Sequence, residues 1–123
     1  MKLHQHYQSD AVSTASPARL VTMLYDRAIQ GLDTSHQVLA EGRGDLELAN
    51  KELLHVQRIL NELQVTLDHE RGGEIASNLD AIYRWSIEQL IEANLTKQAE
   101  PVRHVRKAID DIRDAWVHAT AGL

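Results

Sequence analysis

Cysteine and phenylalanine are absent from this 123-residue chain, and it holds only two tryptophans, three tyrosines and two prolines. Without cysteine there is no disulfide framework, no thiolate zinc site and no thiol nucleophile, a composition that fits a reducing compartment. With no Phe and few other aromatics, a core has to be assembled from Leu, Ile, Val and Ala, as in many helix bundles. Positive charge is also short. Thirteen Lys and Arg stand against 18 Asp and Glu, a formal net charge of -5, which argues against a nucleic-acid partner, because such binding draws its affinity from cations that neutralise phosphates. No long apolar run occurs. Met1 to Asp10 is polar and rich in His and Gln, so neither a signal peptide nor a membrane span is expected, and the expectation is a soluble, cytoplasmic protein without membrane insertion.

What is present is periodicity. Leu46, Ala49, Leu53, Val56, Leu60, Leu63 and Leu67 recur at steps of three, four, three, four, three and four. Only a helix places all of them on one face, since a strand would divide them between its two sides. A stripe that narrow faces other helices packed nearly parallel or antiparallel to it.

Partner helices follow from the rest of the chain. Met1 to Ala15 carries no helical stripe and reads as an arm, with Leu3, Tyr7 and Val12 its sizeable apolar residues. Ser16-Pro17 opens the first helix, Ser as cap and Pro with its preset φ. Leu20, Leu24, Ala28, Leu32 and Leu39 share a face there, widened by Val21, Tyr25 and Ile29, up to Glu41-Gly42. Asp45 caps the second helix, with Glu47 in its first turn, and that helix is expected to run to about His69 and be ended by Gly72-Gly73. The third, Glu74 to about Asn94, carries Ile75, Leu79, Ile82, Ser86, Leu90 and Ala93 on one face and Tyr83, Ile87, Ile91 and Leu95 on an adjacent one. Pro101 opens the fourth, with a seam of Val102, Val105, Ile109, Ile112, Trp116 and Ala119. Short links between helices of similar length make neighbours antiparallel. The expected fold is all-α: an antiparallel up-down-up-down four-helix bundle over residues 16–123 with a short N-terminal arm, residues 1–15.

Chemistry is sparse. Glu52 and His55 form an E-x-x-H pair of the kind that binds iron inside ferritin-like bundles. Leu53 and Val56 hold the seam, however, so the pair flanks it, and no second E-x-x-H exists. His4 and His6 form an H-x-H on the arm, while His36, His69, His104 and His118 are scattered. No H-E-x-x-H, phosphate loop or nucleophile with a base beside it is evident. No enzyme, catalytic residue, metal site or cofactor is expected. In the fourth helix Arg103, His104, Arg106 and Lys107 precede Asp110, Asp111 and Asp114, the reverse of what the macrodipole prefers. Pairs such as Arg106 with Asp110 offset part of this, and the stretch reads either as a solvated face or as a charged docking surface.

The second stripe on the third helix gives that helix more apolar surface than one side of a four-helix core requires. It is either buried on both faces or left open as a groove for another amphipathic helix, and periodicity alone does not choose. The residues expected to meet a partner are Leu54, Tyr83, Ile87, Ile91 and Leu95, apolar and off the main seams. A homodimeric helical adaptor, with the same stripe serving weak self-association, is the alternative.

Several stretches occur in an order that resembles one family. They are Tyr7 with Val12 and Thr14-Ala15-Ser16-Pro17, then Met23-Leu24-Tyr25-Asp26, then LDHERGGEIASNLDAIY from Leu67 to Tyr83, then Glu92-Ala93-Asn94-Leu95, then Arg113-Asp114-Ala115-Trp116. Together they resemble the flagellar export chaperones of the FliS family, over nearly the whole chain. The resemblance implies an antiparallel helical bundle that binds the C-terminal segment of flagellin, which is disordered when free and becomes helical as it wraps the chaperone. Premature polymerisation is thereby prevented and the subunit stays competent for type III secretion. It also implies an arm that lies over part of the groove and moves aside for the client, and contact of Tyr7 with the flagellar export gate. Asn78 and Asp80 fall in the family-like run, where capping or surface pairing would account for them.

Overall fold

The computed structural model describes residues 15–42 and 44–123. Four helices are present among them: α1 Pro17–Glu41, α2 Leu46–Val65, α3 His69–Thr96 and α4 Glu100–Ala119. They form a ring in which α1 packs on α2 and α4, and α3 packs on the same two helices from the other side. Polar pairs between helices give the direction. Asp26 meets Arg113 and Asp33 meets Arg106 across α1 and α4, while Asn50 meets Asn94 and Gln64 meets Asp80 across α2 and α3. Residue numbers rise on one helix as they fall on its neighbour. The architecture is therefore the expected antiparallel four-helix bundle.

Caps set the helix ends. The Ser16 hydroxyl accepts from the Arg19 amide at 3.2 Å, with Pro17 first in the helix, and Gly42 closes α1 at φ 70°. Asp45 accepts from the Leu48 amide at 3.0 Å. The second turn departs from expectation: α2 stops at Val65, four residues before His69, and the chain reverses through Thr66, Leu67 and Asp68 ahead of Gly72. The Thr66 hydroxyl donates to the Leu63 carbonyl, and the Asp68 carboxylate accepts from the Arg71 amide at 3.0 Å, so a capped turn starts at once. Gly73 then breaks that turn at φ 50°, ψ -123°, a conformation open to glycine, and the regular rod begins at Glu74.

The core lies between all four helices. From α2 it takes Ala49, Leu53, Val56, Leu60 and Leu63 of the expected seam, joined by Ile59, while Leu46 is exposed and Leu67 packs at the margin. From α1 come Tyr25, Ala28, Leu32 and Leu39, and from α4 Val102, Val105 and Ile109, with Ile112 and Trp116 partly covered and Ala119 exposed. Gly31 lets α1 approach α2 closely: a Cβ there would lie 2.7 Å from Val56 Cγ2.

Helix α3 buries Ala76, Tyr83, Ser86, Leu90 and Ala93. With the partly covered Leu79, these keep the three-four step, and the seam therefore passes through Ala76 and Tyr83, not Ile75 and Ile82. Tyr83 is 1% exposed, and its hydroxyl lies 2.6 Å from that of Tyr25 across the core. Burial raises the pKa of both phenols, so each stays neutral and the pair shares one hydrogen bond.

Candidate binding groove

Each residue of a helix is turned about 100° from the one before, so the residue after a seam position lies at the edge of the buried face. Leu54 follows Leu53 in this way on α2, and Ile91 follows Leu90 on α3, with Leu95 one turn on. These three side chains are 41%, 45% and 76% exposed. They meet in a groove of about 360 Å³ between α2 and α3, whose other walls are Asn50, Gln57, Asn94 and Lys97. Its polar edge is tied together. Asn94 Nδ2 donates to Asn50 Oδ1 at 2.7 Å, and Lys97 Nζ donates to Asn94 Oδ1 at 2.7 Å. Lys97 closes α3 in the left-handed conformation, φ 55°.

The trough is lined by three aliphatic side chains, three amides and one ammonium. It can cover apolar side chains of a guest, each worth about 1.5–3 kcal/mol when fully buried, while the amides and the ammonium meet polar groups at its margin.

Of the five residues expected from their off-seam position, Leu54, Ile91 and Leu95 are brought together here. Ile87 is half-buried and packs against the core. Tyr83 is a correction: it belongs to the seam of α3, with its ring sealed and its hydroxyl used by Tyr25. Tyr7, and the arm with His4 and His6, lie outside the described residues. The groove's polar wall escaped the sequence reading. Asn94 sat in a family-like stretch without a role, and nothing in the pattern singled out Asn50, Gln57 or Lys97.

Several other charged residues have partners in the fold. Arg27 of α1 donates to Glu52 Oε2 at 3.0 Å and lies 3.0 Å from His55 Nδ1, so the E-x-x-H pair is engaged at the α1/α2 contact. Burial, aided by the Arg27 charge, lowers the His55 pKa. Asp80 accepts from Gln64 at 2.9 Å and from Arg84 at 2.7 Å, tying α2 to α3, while Asn78 is exposed. On α4, Arg106 reaches Asp33 of α1 at 2.7 Å, closer than its expected partner Asp110 at 3.6 Å. Arg113 reaches Asp26 at 2.5 Å. Among the described residues no helix is long and apolar enough to cross a membrane.

Residues 1–122 match the family described as flagellar protein FliS. The chain is 36% identical over 107 residues to the flagellar secretion chaperone FliS of Salmonella typhimurium, covering 86% of this chain and 78% of that protein. It is 31% identical over 113 residues to the FliS of Bacillus subtilis, covering 92% and 82%. With the flagellar secretion chaperone FliSB of Pseudomonas aeruginosa the identity is 32% over 122 residues, covering 94% and 91%. In fold it is similar to a crystal structure of a bacterial flagellar chaperone, with a TM-score of 0.75 at 20% identity, over 97% of this chain and 95% of that one.

Proposed function

Because the chain belongs to the FliS family of flagellar secretion chaperones, we propose that it acts in the cytoplasm on flagellin, taking up the C-terminal segment of the newly made subunit in the groove between α2 and α3. That segment orders as a helix when its apolar side lies against Leu54, Ile91 and Leu95. Covering those side chains withholds them from subunit contacts, so polymerisation is held off and the subunit remains exportable. The ordering cost is met by the apolar area covered, as in other coupled folding and binding. No bond is made or broken and no cofactor takes part. In this reading Tyr7 contacts the export gate.

The observation that supports it most is the gathering of three exposed apolar side chains into one trough on a bundle whose core is already complete without them. Mixing the protein with a C-terminal flagellin fragment tests it. Calorimetry should give one-to-one binding, and the circular dichroism of the mixture should exceed the sum of its parts in helix. No heat and additive spectra would end the proposal. The same exposed side chains, Ile91 and Leu95, would also serve a seam between two copies; light scattering across concentrations separates the readings, since such a seam grows with concentration and excludes the fragment.

A further inference from the structure

A second recess, of about 550 Å³, lies between α3 and α4 and has no part in the flagellin reading. One wall is Trp85, 39% exposed. The other is Arg103, His104, Arg106 and Lys107, so every polar side chain lining it is basic. The acids that hold these cations lie outside the lining: Glu100 with Arg103 and His104, Asp33 and Asp110 with Arg106, Asp111 with Lys107.

In a chain of net charge -5, the cations line this recess while their carboxylate partners stand outside the lining. Exposed ion pairs of this kind contribute little to stability, so exchanging an internal carboxylate for an external one costs little. Trp and Arg are also the residue types that most often carry binding energy at protein contacts.

We propose that this recess docks an acidic segment of another protein, which rests an apolar side chain on the Trp85 ring and presents carboxylates to Arg103, Arg106 and Lys107. A polynucleotide fits less well, because tracking phosphates needs an extended basic surface that the acidic remainder of the chain does not offer.

The test uses the full-length ¹⁵N-labelled protein and a synthetic amphipathic peptide built from Glu and Leu. The chain has two tryptophans, so two indole N–H resonances report separately. The Trp85 signal should move on titration while that of Trp116, whose indole donates to the Ala18 carbonyl, stays. Affinity should fall about tenfold or more, equivalent to about 1.4 kcal/mol, in Arg103→Gln/Lys107→Gln and in Trp85→Ala, with thermal unfolding unchanged, and should weaken with salt. The proposal is overturned by an unmoved Trp85 signal, by equal binding of a Lys and Leu peptide, or by tighter binding of a DNA duplex. It is equally overturned if Leu54→Asp/Ile91→Asp abolishes peptide binding, which would place the peptide in the α2/α3 groove.

Discussion

Leu53 and Leu54 are the same residue one step apart, and Leu90 and Ile91 are nearly so, yet the first of each pair is sealed in the core and the second stands in the groove. One side of the α2/α3 pair closes the bundle and the other is left uncovered. Hydrophobicity does not distinguish them. Angular phase about the helix axis does, and it divides the apolar residues of this chain into those that hold the fold and those free to hold something else.

Truncation should separate the two sets most sharply. Leu53→Ala removes packing inside a full core and should cost about 2–5 kcal/mol, whereas Leu54→Ala should stay within about 0.5 kcal/mol of the parent, both read by urea unfolding. Similar losses would erase the division. Gly31→Ala attacks the closed side from its backbone, where the added carbon meets Val56 at 2.7 Å and Glu52 at 3.0 Å. Overpacking of about 1–3 kcal/mol should outweigh the roughly 1 kcal/mol gained in helix propensity, giving a lower melting temperature.

Tyr83→Phe should cost about 1–3 kcal/mol, because it strands the Tyr25 hydroxyl, and adding Tyr25→Phe should recover part of that loss. The phenol pair also sets an alkaline limit. Both folded pKa values lie above the ordinary 10.0, so their contribution is complete below pH 10 and lost above it as the unfolded chain ionises. The smallest effect concerns His55. Its folded pKa lies below the ordinary 6.5, so its contribution is present above that pH and declines as pH falls through the folded value. His55→Gln should flatten the acid side of a stability profile.

Much of this was legible from spacing. The seam of α2, the caps at Ser16 and Asp45 and the antiparallel order follow from local rules, and the structure keeps them. The three-four step that located α2 also locates α3, provided it is followed strictly through Ala76, Tyr83 and Leu90. The larger side chains of Ile75 and Ile82 drew the reading off phase and left Tyr83 on the surface. The Gly72-Gly73 turn was misplaced because Asp68 can cap a helix as well as glycine can end one, and composition does not rank the two. Asn50, Asn94 and Lys97 could not be found in advance, since their hydrogen bonds join residues that only the packing of α2 on α3 brings within reach.

The uncovered side of α2 and α3 is the proposed seat of the client. The most direct measurement of that site is the affinity of a C-terminal flagellin fragment for Leu54→Asp/Ile91→Asp beside the parent, with thermal unfolding of both. The prediction is a loss of about tenfold or more, at least about 1.4 kcal/mol, at an unchanged melting temperature. Undiminished affinity in a folded variant would contradict it.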